Sequence, residues 1–207
     1  ENGISFQADV IKGQKTGFFL DQRDNRALVR TYSKNCSVLN VFSYNGGFSI
    51  YAAKGGAKSV TSIDISRDAL KSAEDIFKLN DCSVKHELIC MDAFEALKKL
   101  ADEGRKFDIV ITDPPSFARK QADIPNAVKA YERLAKISAE LVAEDGILFS
   151  ASCSARVAKE EFEHAVKDGI KKSGKKTEFV KSTSHSIDHP VGFEEGEYLK
   201  MIVHTLS

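Results

Sequence analysis

The chain has 207 residues, 42% hydrophobic and 29% charged, which fits one soluble globular domain with a core of ordinary size. Thirty basic and thirty acidic side chains cancel, so the total charge neither points to a nucleic-acid partner nor excludes one, because affinity for phosphate follows local clustering. Cys36, Cys82, Cys90 and Cys153 form no C-x-x-C pair and have no accompanying histidine spacing, which argues against a metal site or a disulfide scaffold and for reduced thiols in a cytoplasmic protein.

No apolar run is long enough to span a bilayer and no signal peptide opens the chain, so no membrane role is expected. The first residue, Glu1, fits a processed chain or an excised domain. ISFQADV (4–10) alternates apolar and polar residues like a half-exposed strand, and DQRDNRALVRTY (21–32) has helical spacing. From Cys36 onward short β-rich runs alternate with helical patterns. Strands are expected in SVLNVFS (37–43), SVTSIDI (59–65), KHELICMD (85–92), DIVITD (108–113) and GILFSAS (146–152). Their near-continuous apolar character suits strands covered on both faces.

Between the second and third strands, SRDALKSAEDIFKLN places Ala69, Leu70, Ala73, Ile76, Phe77 and Asn80 on one helical face, with Ser66 as the N-cap. A helix around 158–171 precedes TEFVKSTSHS and EYLKMIVHTL, whose joining loop contains His189, Pro190, Gly192 and Gly196. Two final strands with no long helix between them form a hairpin. The expected fold class is α/β: a doubly wound, Rossmann-like sheet, mostly parallel, with a C-terminal antiparallel hairpin.

Chemistry gathers at the expected strand ends. After the first strand, Gly46 and Gly47 lead into a helix, where glycine serves either a tight turn or close backbone approach to a ligand. The pattern is not G-x-G-x-x-G and no G-K-[ST] follows, which argues against a dinucleotide fold and a P-loop. Asp64 ends the second strand, where an acid can accept hydrogen bonds from both ribose hydroxyls. Asp92 ends the third and either faces an adenine or caps the next helix. The fourth runs into DPPSF (113–117), whose prolines fix a rigid loop and whose Phe117 can stack on a base. After the fifth, SASCSARV (150–157) carries Cys153 out of a buried strand, either as a small packing residue or as a nucleophile that Arg156 could activate.

These residues resemble the class I S-adenosylmethionine-dependent methyltransferases, and more closely the bacterial large-subunit (23S) ribosomal RNA cytosine-C5 methyltransferase family. The resemblance covers nearly the whole chain and is carried by GQKTGFFLDQRDNR (13–26), NVFSYNGGFS (40–49), DPPSF, FSASCS (149–154), DHPV (188–191) and EGEYLK (195–200). It implies S-adenosyl-L-methionine as cofactor, with Phe42, Ser43, Tyr44, Gly46 and Gly47 beside its methionine part. It also implies Asp64, Ile65 and Ser66 at the ribose, and Asp92 and Ala93 at the adenine, with Asp113 bordering the same crevice. Arg23 meets the methionine carboxylate or, alternatively, forms a structural salt bridge.

The resemblance further implies Cys153 as the nucleophile that adds to cytosine C6 and makes C5 reactive, Asp113 as a group that positions or deprotonates the base, and Pro114, Pro115 and Phe117 as substrate contacts. Many RNA cytosine-C5 methyltransferases carry a second cysteine in the loop that here reads DPPSF, where Ser116 is no equivalent. The family normally has an amino-terminal RNA-binding domain of the PUA type and a β-rich extension. Residues 1–20 look like a remnant of that extension and 21–207 like the catalytic domain. The implied partner is large-subunit ribosomal RNA, and a homodimer is one compatible assembly. His189 and Lys200 read as structural at least as readily as functional. Two other functions stay open: an N-methyltransferase acting on adenine or guanine through DPPSF without covalent catalysis, and a cofactor-binding regulatory module.

Overall fold

The computed structural model describes residues 1–7, 17–193 and 196–207. Its sheet has seven strands: β1 (Ser37–Val41), β2 (Ser59–Asp64), β3 (Lys85–Cys90), β4 (Phe107–Thr112), β5 (Val142–Ser152), β6 (Thr177–Thr183) and β7 (Lys200–Leu206). They lie in the order β3-β2-β1-β4-β5-β7-β6. The first five pair in parallel, while β7 runs antiparallel between β5 and β6. The doubly wound sheet and C-terminal hairpin are therefore as the sequence predicts.

Side-chain alternation sorts the sheet into two cores. Leu39 and Val41 of β1 and Val110 of β4 pack against α4 (Ala93–Asp102), α5 (Ile124–Leu141) and α6 (Lys159–Lys172). On the opposite face, Val38, Ile109 and Ile111 meet α1 (Arg23–Tyr32), α2 (Gly47–Lys54) and α3 (Arg67–Leu79). Ser66 caps α3 as expected, its hydroxyl accepting from the Ala69 N–H at 3.2 Å.

Three expectations change. Residues 4–7 form no strand; Ile4 is buried, and Asn80 at the end of α3 bonds both the N–H and the C=O of Ser5 at 2.9 and 2.8 Å. Residues 8–10 lie outside the described residues, as do 13–16 and 195 of the quoted motifs. The strand expected at 146–152 begins at Val142, where α5 passes directly into it. A register shift between Phe107 and Ile109, with Asp145 at φ 56°, marks an irregularity that hides this early start behind polar residues. Finally, α1 is entered through a 3-10 turn, Leu20–Gln22. Among the described residues no helix is long and apolar enough to cross a membrane.

The strand order reverses between β1 and β4. Both neighbours' connections leave in opposite directions there, which opens a crevice at the carboxyl ends of the strands.

Candidate active site

The first wall of the crevice is the turn from β1 into α2. Phe42, Tyr44 and Gly46 adopt positive φ angles of 59°, 47° and 79°, and such angles cost a non-glycine residue on the order of 1–3 kcal/mol. Backbone bonds hold them in place. The Ser43 N–H donates to Ile63 O at 2.9 Å, the Gly46 N–H to Ser43 O at 2.8 Å, and the Tyr44 N–H to Oδ2 of Asp64 at 2.7 Å. Ser43 is buried, and its hydroxyl has no hydrogen-bond partner among the described residues.

The second wall is the end of β2 and β3. Oδ1 of Asp64 accepts from the Ser66 N–H at 2.9 Å, so the carboxylate ties the two turns together. Ile65, the next residue, is 73% exposed despite being aliphatic. Asp92 accepts from the N–H groups of Phe94 and Glu95 through Oδ1, at 2.9 and 3.2 Å, with Ala93 buried as the first residue of α4.

The third wall joins DPPSF to the loop that leaves β5. The Cys153 thiol donates to Pro114 O at 3.7 Å, the Ser116 hydroxyl to Ser154 Oγ at 3.2 Å, and the Ser154 hydroxyl to Ala118 O at 3.3 Å. Pro114 is buried and Pro115 exposed. Asp113 accepts from Gln22 Nε2 at 3.0 Å, which brings the segment before α1 to the same place. Phe117 packs on Tyr131 with ring centroids 4.9 Å apart.

A family model described as S-adenosylmethionine-dependent methyltransferase matches residues 1–168. This chain belongs to that family. A Deinococcus radiodurans ribosomal RNA large subunit methyltransferase is 49% identical over 98% of the chain and 50% of its own length. A Shewanella frigidimarina ribosomal RNA large subunit methyltransferase I is 40% identical over 98% and 52%. A solved methyltransferase in complex with SAH superposes with a TM-score of 0.89 at 31% identity, over 99% of this chain and 54% of its own. The chain spans about half the length of the curated relatives it matches.

The methyltransferase crevice fits S-adenosylmethionine. The buried Ser43 hydroxyl has no partner among the described residues, Ile65 offers an exposed aliphatic face, and Asp64 keeps acceptor capacity beyond its two backbone bonds, since a carboxylate has roughly four lone-pair positions. The glycines, in contrast, answer to internal packing. A Cβ on Gly46 would lie 2.7 Å from that of Ala73, and one on Gly47 would lie 3.2 Å from Cδ of Arg26. Close packing thus accounts for a tight turn at Gly46, and a turn of this kind is compatible with a ligand beside its backbone.

Arg23 and Asp92 each make the contact of one of the two roles named for them. Arg23 forms the salt bridge, with Asp24 at 3.1 Å and with Asp188 of DHPV. Asp92 is a helix cap. Arg156 is exposed, whereas Lys200 on β7 is 7% exposed and its ammonium feels the charge of Cys153. One ring face of Phe117 is occupied by Tyr131, so stacking on a base is confined to what remains.

Gln22 and Tyr131 are residues of this site that motif reading does not name, and Lys200, which it left undecided, lies beside them. The Tyr131 hydroxyl shares a 2.8 Å hydrogen bond with Ser152, and burial holds its pKa up at about 12. Tyr198 donates to Asp21 at 2.6 Å, and burial, followed by that carboxylate, raises its pKa. Both phenols are thus neutral. The signal for Gln22 was its place in the quoted motif directly before Arg23.

Proposed function

We propose that the protein transfers a methyl group from S-adenosylmethionine to C5 of a cytosine in large-subunit ribosomal RNA, through a covalent bond between Cys153 and C6. The observation that carries this is the contact of the Cys153 thiol with Pro114 O at 3.7 Å, which joins a cysteine at the end of β5 to the DPP loop beside the cofactor crevice. The names of the relatives, ribosomal RNA large subunit methyltransferases, supply the substrate class.

The chemistry requires such a thiol. Cytosine C5 is too weak a nucleophile to take a methyl group unaided, and addition of a thiolate to C6 places the electron pair on C5. The bound cofactor supplies an electrophilic methyl group on a sulfonium. After transfer the C5 proton is removed, and the C5–H electron pair expels the Cys153 thiolate and restores the ring. In this reading Asp113, held by Gln22, positions the base, while Pro114, Pro115 and Phe117 shape its slot. A cytosine reaches the slot only when turned out of its stack.

On the cofactor side, Phe42, Ser43, Tyr44, Gly46 and Gly47 border the methionine part. Asp64 takes the ribose hydroxyls with Ile65 and Ser66 beside it, and the free side of Asp92 with Ala93 borders the adenine. Arg23 acts there only if a ligand carboxylate displaces Asp188.

Nucleoside mass spectrometry of unmodified large-subunit RNA after incubation with S-adenosylmethionine tests the proposal. The protein is expected to yield 5-methylcytidine and Cys153→Ala none. Methyl groups on a ring or exocyclic nitrogen, or an active alanine variant, would overturn it in favour of direct attack by a nitrogen lone pair.

A further inference from the structure

In the antiparallel pairing of β5 with β7, Ser152 lies opposite Lys200, so this lysine sits where the chain leaves the sheet for Cys153. Its side chain turns inward and is 7% exposed. Nζ donates to Ser154 O and to Val157 O, both at 2.6 Å, and so closes the 153–157 loop from beneath. No salt bridge pairs Lys200 with an acid among the described residues. Two carbonyls could be satisfied by neutral donors, and an ammonium held without a carboxylate is an expensive way to do it.

The groups around it identify what the charge serves. From α6, Glu160 and Glu161 are exposed, and Glu161 accepts from the Ala158 N–H at 3.0 Å. From α5, Tyr131 is neutral and bonded to Ser152, and ahead of β7, Tyr198 is neutral and bonded to Asp21. Asp113 at the end of β4 is held by Gln22. That leaves Cys153 as the ionisable group on the loop that Lys200 itself supports. Burial lowers the pKa of Lys200, and the charge of Cys153 is the foremost influence raising it again, ahead of those of Glu160 and Glu161.

We propose that Lys200 is a positioning residue: its buried ammonium fixes the 153–157 loop and supplies the positive charge that keeps Cys153 reactive near neutral pH. The inference rests on Cys153 being the nucleophile of the proposed reaction. A neighbouring cation favours thiolate over thiol, and only the thiolate adds to C6. Arginine in place of Lys200 keeps the charge; methionine keeps most of the volume and loses it.

Alkylation by iodoacetamide, followed peptide by peptide with mass spectrometry between pH 5 and 10, reads this without any methyl transfer. In the unaltered protein, Cys153 is expected to react at least several-fold faster near neutral pH than Cys90, which is the more exposed thiol. Lys200→Met is expected to move the Cys153 profile to higher pH by one unit or more. Its rate near neutrality should fall about three- to tenfold, less than the loss of thiolate alone, since a more basic thiolate is a better nucleophile. Lys200→Arg should restore the profile, and Cys90 should not change.

A Cys153 profile that coincides in Lys200→Met and the unaltered protein overturns the assignment. Should Lys200→Met fail to fold, the comparison within the unaltered protein decides, because a Cys153 no more reactive than Cys90 overturns it as well. Absence of 5-methylcytidine alongside the expected alkylation profiles counts against the proposed reaction and leaves the control of the thiol by Lys200 standing.

Discussion

The Tyr44 N–H lies 2.7 Å from Oδ2 of Asp64, so the acid at the end of β2 holds in place the strained turn at the end of β1. Its other oxygen holds Ser66, at the entry to α3. One carboxylate therefore organises both turns that line the cofactor crevice and still has acceptor positions for a ligand. Replacing Asp64 should damage binding through both routes. Isothermal titration with S-adenosylhomocysteine is expected to show about a tenfold loss for Asp64→Asn, which keeps one acceptor, and about a hundredfold loss or more for Asp64→Ala, consistent with charged hydrogen bonds worth roughly 1.5–3 kcal/mol each. Equal affinities for the two variants would mean that neither the shape nor the acceptor kept by asparagine contributes, and that the charge of the carboxylate carries the effect.

Gly46 illustrates a demand that comes from the fold. An alanine there meets two separate penalties, the left-handed φ of 79° and a Cβ 2.7 Å from the Cβ of Ala73. The first is worth roughly 1–2 kcal/mol and the second about 1–3 kcal/mol. Urea denaturation of Gly46→Ala should show a stability loss on the order of 2–5 kcal/mol by these figures. Adding Ala73→Gly opens the contact but leaves the φ strain, so the double variant should recover less than it would if the clash were the whole cost. Full recovery would show the turn to be unstrained.

The strand ends were legible because each carries a local signal: an apolar run followed by Asp64, Asp92, DPPSF or the Cys153 loop. Sheet class and hairpin followed from the same alternation. The packing at Gly46 and Gly47 was not legible, because Ala73, which leaves no room for a Cβ on Gly46, and Arg26, which crowds one on Gly47, lie on other helices. Gln22 and Asp113 are 91 positions apart, and Lys200 is 46 from Ser154, so no spacing rule could join them. The roles of Arg23 and Arg156 went the other way. Asp188 pairs with the first and the second points to solvent, and both outcomes depend on loop placement rather than on residue type.

Tyr131 bonds Ser152 at 2.8 Å beneath the residue that precedes Cys153, while its ring supports Phe117 of the DPPSF loop. Tyr131→Phe keeps the ring contacts and removes the hydroxyl. Ser152 still receives the Ser154 N–H at 3.2 Å, so the buried oxygen retains one partner. A loss of about 1 kcal/mol is expected for Tyr131→Phe. A double-mutant cycle with Ser152→Ala should return a coupling of about 0.5–1.5 kcal/mol. A coupling near zero would show that the two hydroxyls are satisfied independently, and that the floor of the Cys153 loop is set by packing.

Acid should weaken the fold through two histidines before it reaches the carboxylates. His204 on β7 is 4% exposed, and burial, aided by the charge of Lys167, pushes its pKa down to about 4. His86 on β3 stacks on Phe77 with centroids 3.9 Å apart and shares a 2.8 Å hydrogen bond with Ser62; burial again brings it to about 4, against a smaller opposing effect of Glu74. Above the ordinary histidine value of 6.5 both states are neutral and the stability is complete. As pH falls from there toward 4, the unfolded chain takes up protons that the folded chain refuses, so stability drops by at most about 1.4 kcal/mol per pH unit for each histidine. Partial exposure of His86 reduces its share. Urea denaturation at several pH values should therefore show a loss on the order of 3 kcal/mol between pH 6.5 and 4.5. His204→Phe, set opposite Leu148 in the sheet, should remove about half of that slope while the carboxylates contribute equally to both proteins. A variant with the unaltered slope would mean that His204 gains its proton as readily folded as unfolded, and that its burial does not hold it neutral.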